Sequence, residues 1–420
     1  MMIFLAAVSY LPIRKMRILL PFWRGVPEGC FYQDFHQGVA EALRELGHEA
    51  VQFPFVERGR LQPDEADLLF PLVEAGQFDA LLDLACWGRG LSRIGVSRNG
   101  VREPLFDAFG VAYLGWLFDQ PYNQAINLVA STRLYGAYPD LGHSDQVRLI
   151  FPGLKLRGEI FAPPAIRPSN SCSGDNWWTD RDIDVLYVGN LVTEALQRSW
   201  NRRVSDRATV CHPGFCDTLA DAVLSEPERS LHLSLQLAIA ELSPLPAGFD
   251  ISSNLRVVES FLRHTFRRDA VAALAGSGVR MRVVGKGWDR LGLPANVEFG
   301  AETDYAGFFR LAARAKICLD ASTYLDGAND RVFSYALNRA VCFTNAAGYL
   351  RSTFGEDGGM CFYSMRNLSE LGERVKALLA RPEALQEAGI GAGESVLSAH
   401  TWRHRVENIL DSIRLQPGVA

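Results

Sequence analysis

The chain has 420 residues, of which 48% are apolar, 22% charged and 10% aromatic. This composition excludes a disordered or fibrous protein, and the length exceeds what one hydrophobic core usually supports, so two domains are expected. The formal charge is −5, divided at residue 175 into 16 basic against 19 acidic residues before and 27 against 29 after. Neither half is a polyelectrolyte, and no nucleic-acid partner is expected.

Residues 1–15 open with an apolar run, Ile3 to Pro12, too short to cross a bilayer and without the basic lead-in of a signal peptide. They read as a disordered or alternative-start extension. No later stretch is apolar enough to span a membrane. The eight cysteines are scattered, mostly in apolar runs such as Ile317-Cys318-Leu319, and predict reduced thiols in a cytoplasmic protein. Cys211-His212 and Cys216 cluster, but no second ligand pair at zinc spacing accompanies them, so buried thiols are expected there.

A first domain is predicted over 16–152. Its strands are 17–22, 50–55, 80–85, 111–118 and 147–151, and its helices begin with one carrying Phe35, Val39, Leu43 and Leu46 at helical spacing, followed by 64–76, 103–109 and 122–134. Strands alternating with helices imply a parallel sheet covered on both faces. Between 153 and 181 Pro163, Pro164, Pro168, Ser169 and Ser171 accumulate, which predicts a linker.

The second domain is predicted over 182–399. It starts with the buried strand Ile183 to Val188 and a Gly189-Asn190 turn, then a leucine-rich helical insertion over 193–274. Strands at 279–284, 297–299, 316–321, 340–344 and 359–363 follow, with helices at 304–314, 328–338, 368–380 and 383–393. A last helix within 400–420 is expected to cross back to the first domain. The fold class is therefore α/β, with two facing Rossmann-like doubly wound domains whose ligand belongs at the carboxyl ends of the strands.

The sequence lacks GxxxxGK[ST], GxSxG, HExxH and a complete GxGxxG. Asp180, Asp182 and Asp184 form DxD patterns, but they precede a strand rather than end one, which suits a solvated strand start better than a metal site. The informative stretch is Val284-Gly285-Lys286-Gly287-Trp288, a strand running into two glycines around a lysine. Glycines let backbone amides approach a diphosphate and the lysine adds a point charge, although plain turn chemistry also uses glycine. Some forty residues later Asp326-Gly327-Ala328-Asn329-Asp330-Arg331-Val332-Phe333-Ser334 joins a strand to a helix. A cation in a first helical turn opposes the helix dipole, so Arg331 suits a bound phosphate; the alternative is a surface pair with Asp330 or Asp326.

These motifs, in the order Val188-Gly189-Asn190-Leu191, Gly285 to Trp288, Asp326 to Phe333 and Leu397 to Arg405, resemble the carboxyl half of the CgeB-like (spore maturation protein group) glycosyltransferases of the GT-B fold. The resemblance covers about 183–412. It implies a nucleotide-diphosphate sugar, a UDP-sugar first, as donor substrate on the second domain. It also implies an acceptor, glycan, protein or small molecule, between the domains, and neither a separate cofactor nor a catalytic metal. Donor contacts are then expected from Gly189, Asn190, Gly285, Lys286, Gly287, Trp288, Asn329, Arg331 and Ser334. Ser334 departs from the family, whose phrase carries glutamate there. Asp326 occupies the place of the first acid of the paired-acid motif in retaining enzymes. In the first domain Asp119, ending the strand 111–118, is the best-placed general base; capping the helix that starts at Pro121 is its other reading. A non-catalytic nucleotide or sugar binder and a sugar-nucleotide epimerase are the competing functions.

Overall fold

The computed structural model describes residues 14–98, 100–171, 178–200, 211–345, 348–355 and 358–414. The expectations for 1–13, Cys172, the middle of the linker, 201–210 and 415–420 lie outside the described residues.

Two six-stranded parallel sheets organise the chain. The first contains β1 (Arg17–Trp23), β2 (Glu49–Phe55) and β3 (Ala80–Leu84); a small antiparallel hairpin, β4 (Gly95–Arg98) and β5 (Val101–Pro104), lies outside it. It continues with β6 (Ala112–Trp116), β7 (Leu134–Tyr138) and β8 (Gly158–Phe161), in the order β2-β1-β3-β6-β7-β8. The second contains β9 (Ile183–Val188), β10 (Met281–Val284), β11 (Val297–Gly300), β12 (Ala315–Leu319), β13 (Val341–Thr344) and β14 (Met360–Phe362), in the order β11-β10-β9-β12-β13-β14. The central strands are continuous apolar runs because helices cover both faces; β3, β6 and β7 are buried at every residue. Chain order reverses between β1 and β3 in one sheet and between β9 and β12 in the other, and these two switch points are where such sheets bind ligands.

Three expectations need correction. The segment 147–151 is the end of the helix Gly142–Ile150 and its capping residue Phe151, not a strand: Val147 and Ile150 bury one face while Arg148 stays exposed, a helical period that its apolar content disguises. The helix expected over 122–134 is a short helix Pro121–Gln124 and a single 3-10 turn, after which the chain enters β7. The linker does not begin at 153, because β8 pairs in register with β7 and completes the first sheet.

The helical insertion contains Pro213–Ser225, Leu231–Glu241 and Ile251–Gly276. It does not belong to the second domain alone, since Tyr122 and Ile150 of the first domain share its apolar cluster with Phe215, Leu235 and Phe261. The terminal helix Trp402–Arg414 likewise packs into the core of the first domain through Trp402, Val406, Ile409 and Ile413. Its indole lies against Phe35 at a 4.9 Å ring separation and against Trp116 at 5.5 Å. A side chain at Gly38 would collide with that indole, so the glycine is a docking notch. Trp402→Ala is expected to cost about 3–5 kcal/mol, read as a lower denaturation midpoint, because the indole fills a packed site among Phe35, Trp116 and Phe118 that cannot fully collapse.

Candidate functional site

A cavity of about 1010 Å³ opens between the domains, lined from the first by Trp87, Phe118 and Asp119 and from the second by Gly189, Arg263 and Arg331. Both switch points face it. The loops leaving β1 and β3 form one wall, and those leaving β9 and β12 form the other.

The second-domain wall is built on Asp320, the residue after β12, which is wholly buried. Its carboxylate accepts from Asn329 Nδ2 at 3.1 Å and Thr344 Oγ1 at 3.0 Å, and pairs with Arg331 at 3.3 Å. Asn329 also caps the helix Asp330–Leu337 by accepting from Val332 N. Arg331 donates to Val188 O at 3.0 Å, which ties the helix start to the end of β9. Burial works hardest against the guanidinium's charge, but Asp320 together with Tyr187, Tyr335 and Asp330 outweighs it and holds the Arg331 pKa above its ordinary value. Its anchor is therefore neither of the acids expected from sequence, and the aspartate at the end of Ile317-Cys318-Leu319-Asp320 was the overlooked signal.

Two further guanidiniums join it from the long helix Ile251–Gly276. Arg263 is forked by Glu259 at 2.7 and 2.8 Å, and that carboxylate, with Asp119, holds its pKa up. Arg267, one turn on, donates to Asn190 O at 3.1 Å while its Nε meets no partner. Burial pushes the Arg267 pKa down, and Arg331 and Arg263 add like-charge repulsion that Tyr187 opposes. Three cations thus line one wall, two of them absent from the expected set because nothing local separates a cavity-facing arginine from a solvated one. The i, i+4, i+8 spacing of Glu259, Arg263 and Arg267 on one helical stripe was the available clue.

Other expected residues lie around this wall rather than on it. Gly189 lines the cavity, and Asn190 beside it accepts from Lys286 N at 2.9 Å and donates to Glu302 at 2.8 Å. Side chains at Gly285 and Gly287 would strike the carbonyls of Gly189 and Leu191, so these glycines let the turn after β10 zip onto the turn after β9. Trp288, 1% exposed, donates to Gly189 O and props that turn from below. Lys286 points outward, 74% exposed and paired with Glu302 at 2.5 Å. Ser334 is fully buried and its hydroxyl donates to Asp330 O inside the helix, so it does not reach a ligand. Asp326 also stands off the cavity: its loop faces the first domain, where Asp326 N donates to Asp140 at 3.0 Å and Leu141 N donates to Asp326 O. The contact is close because Gly327 has no side chain to strike Pro139 O.

On the first-domain wall, Asp119 accepts from Tyr324 Oη at 2.8 Å and Arg263 at 3.4 Å, both from the other domain. It also accepts from Gln120 N at 2.8 Å, and Gln120 rather than Asp119 takes the cap position of the helix starting at Pro121. Away from the cavity, Asp182 pairs with Arg314, and Asp184 with Lys316 and Arg280 at 2.6 and 2.9 Å. Those acids are a neutralised strand start. Among the described residues no cluster of His, Cys, Asp and Glu has the form of a metal site. Cys216 is buried against Asn254, and His212 caps the helix Pro213–Ser225.

Comparison with known proteins agrees with this architecture. Residues 263–411 match the family model described as glycosyl transferase-like. No curated protein sequence matches the chain. An alpha-glucosyltransferase solved with UDP-glucose and DNA containing an abasic site superposes with a TM-score of 0.53 at 11% identity, covering 95% of this chain and 100% of that one. Sucrose-phosphate synthase from Thermosynechococcus elongatus gives 0.51 at 11%, covering 95% and 98%. A glycosyltransferase from Rickettsia africae gives 0.51 at 9%, covering 96% and 98%. These likenesses establish the fold, the two-domain GT-B arrangement.

Two buried carboxyls behind the site predict a pH dependence. Burial raises Asp83 to about 7 against the hydrogen bonds from Tyr113 and Gly88 N, and raises Asp140 to about 7 against those from Gly142 N and Asp326 N. Unfolded, both ionise near pH 4, so between about 4 and 7 the folded state binds more protons. Their contribution to stability is therefore full below about pH 4 and declines as pH rises to 7. Asp83→Asn should remove its share, making the melting-temperature difference between wild type and variant fall from pH 5 to pH 8; a constant difference would contradict the assignment.

Proposed function

We propose that this chain is a glycosyltransferase that moves a sugar from a nucleotide-diphosphate donor, a UDP-sugar first, to an acceptor held in the same interdomain cleft. The observation that carries the reading is the convergence of Arg263, Arg267 and Arg331 on the cavity wall at the second switch point, with the Arg267 Nε unpartnered. The matched family segment, 263–411, spans all three. As the sugar–oxygen bond breaks, negative charge develops on the diphosphate, and preorganised guanidiniums stabilise it without reorganising. Their combined charge supplies what a divalent cation otherwise would, so transfer is proposed to proceed without metal. Gly189 gives the phosphates close approach to backbone, and Asp119, opposite, orients or deprotonates the acceptor hydroxyl. Membership in the CgeB-like group, resting on motif order, is part of this proposal, as is a cytoplasmic location.

A second reading, a non-catalytic nucleotide-sugar binder, draws on Ser334, whose buried hydroxyl leaves the ribose without the carboxylate that the resembled family presents. Calorimetry with UDP, paired with donor turnover over an acceptor panel, separates the two. The transferase reading expects binding and turnover, both retained in EDTA; the binder reading expects binding alone. Arg267→Met should weaken UDP by on the order of 2 kcal/mol, about thirtyfold. Arg331→Ala should lose at least as much, since it also strands the buried Asp320. Unchanged affinity in both variants would contradict the diphosphate assignment.

A further inference from the structure

The opposite wall of the cavity carries a cation that the donor does not explain. Arg58, in the loop between β2 and the helix Pro63–Gly76, lines the cavity with Trp87 and Cys30. Its guanidinium lies 3.9 Å from the ring centre of Trp23 and 4.0 Å from that of Trp87, in the angle between two indoles standing at 88° to one another. That corner is fixed independently of the arginine. Trp23 ends β1 and donates to Val56 O at 2.8 Å, while Trp87 follows β3 and stacks on the buried Tyr32 at 4.0 Å. These are the two loops of the first switch point.

Indole faces attract the cation without using its N–H groups. Among the described residues those groups meet no carboxylate or carbonyl, and the adjacent acid, Glu57, is engaged by Arg60 and Gln62. A second cation is close by: Arg89 runs alongside Gly59, where any side chain would strike it, and donates to Cys86 O at 3.2 Å. Burial lowers the Arg58 pKa, and Arg89 adds to the effect against Tyr32 and Cys30. A guanidinium held in the corner of two indoles, with its N–H groups unclaimed by carboxylate or carbonyl and a like charge beside it, is built to meet an oxyanion.

We propose that Arg58 recognises an anionic group, phosphate or carboxylate, on the acceptor, whose ring or chain rests on Trp87 and Phe118. This rests on the transferase reading above. It narrows the acceptor to an anionic sugar or polyol, and it makes Arg58 a specificity residue on the wall facing the three donor arginines.

The test uses the full chain saturated with UDP and three calorimetric probes: glucose 6-phosphate, glucuronate and glucose. Wild type is expected to bind at least one anionic probe at least tenfold more tightly than glucose, and the preferred one distinguishes phosphate from carboxylate. Arg58→Met should weaken that probe by about 10- to 100-fold, the loss of one charge-assisted contact, and Arg58→Lys should restore part of it. UDP titrated into the same variants reports the donor half separately. Equal binding of glucose and the anions, no binding of either anion, or an Arg58→Met variant that binds as wild type would each overturn the proposal. A UDP affinity that falls in Arg58→Met as far as the anion affinity would also overturn it, by moving Arg58 to the donor. Failure of the wild-type protein to bind UDP would instead overturn the transferase reading itself.

Discussion

A carboxylate with no exposure at the end of a central strand must be paired, and the Asp320–Arg331 contact satisfies that demand in a way that places most of the second-domain wall. Asp320 alone would be a buried charge, and Arg331 alone would be a cation at the wrong end of a helix. Together with Asn329, which bonds Asp320 and caps the helix in the same gesture, they fix where the helix Asp330–Leu337 starts. Because Arg331 also reaches Val188 O, the pair clamps β9 and β12 at the point where strand order reverses. The turn after β9 then receives the turn after β10 through Gly285 and Gly287, and Arg267 from the long helix bonds that same turn at Asn190 O. One ion pair thus sets the positions from which Arg331 and Arg267 face the cavity, while Glu259 holds Arg263 beside them.

The two walls keep their spacing through contacts more than through the connecting chain. The crossing into the second domain at Ile166 lies directly beside the return crossing: Ile166 N donates to His400 O at 3.2 Å, and Trp402 N donates to Ile166 O at 3.3 Å. Around this paired crossing stand Tyr305 N on Gly29 O at 3.1 Å, Arg256 on Tyr122 O, and the seam between residues 139–142 and 325–328. Asp119 sits at the end of this set, held by Tyr324 and Arg263 from across the cleft. A change in domain spacing would strain those two bonds, which couples Asp119 to the width of the cleft.

The strands were legible in the sequence wherever apolar runs were bounded by turns, because a strand buried on both faces leaves that mark. β7 was not, since Leu134-Tyr135-Gly136-Ala137-Tyr138 follows directly on a region with helix-start chemistry and carries a glycine and an alanine in place of branched residues. The opposite error at 147–151 has the same root: a short apolar run does not disclose its period. Within the site, Arg331 was legible because its position breaks a local rule of helix electrostatics, and such conflicts mark sites. Arg263 and Arg267 break none; only the packing of their helix across the cleft gives them a role. Ser334 and Asp326 sit at motif positions, yet helix phase turns the first into the core and the interdomain seam draws the second away.

The walls differ in a way that bears on the order of events in the cleft. On the second domain, guanidiniums are anchored by carboxylates beneath them, Asp320 under Arg331 and Glu259 under Arg263, with Arg267 left to backbone and repulsion. On the first domain, Arg58 is anchored by indole faces, which neutralise none of its charge. Each wall thus sets its guanidiniums among acids, Glu28 and Asp119 on the first domain and Glu302, Asp304 and Asp330 on the second, in a chain that as a whole carries −5. An anion beside Arg267 relieves the repulsion that Arg331 and Arg263 exert on it, and one beside Arg58 relieves that of Arg89. On the proposed reading a diphosphate gains most, having the larger charge and three guanidiniums to meet, and once bound it would lower the field that draws in a second anion. The indole corner is little affected by this loss, because its hold on Arg58 depends on close contact and not on the long-range field. On the transferase reading proposed above, that division, charge for the donor and an aromatic surface carrying a single charge for the acceptor, would let two substrates occupy one cleft without competing for the same groups.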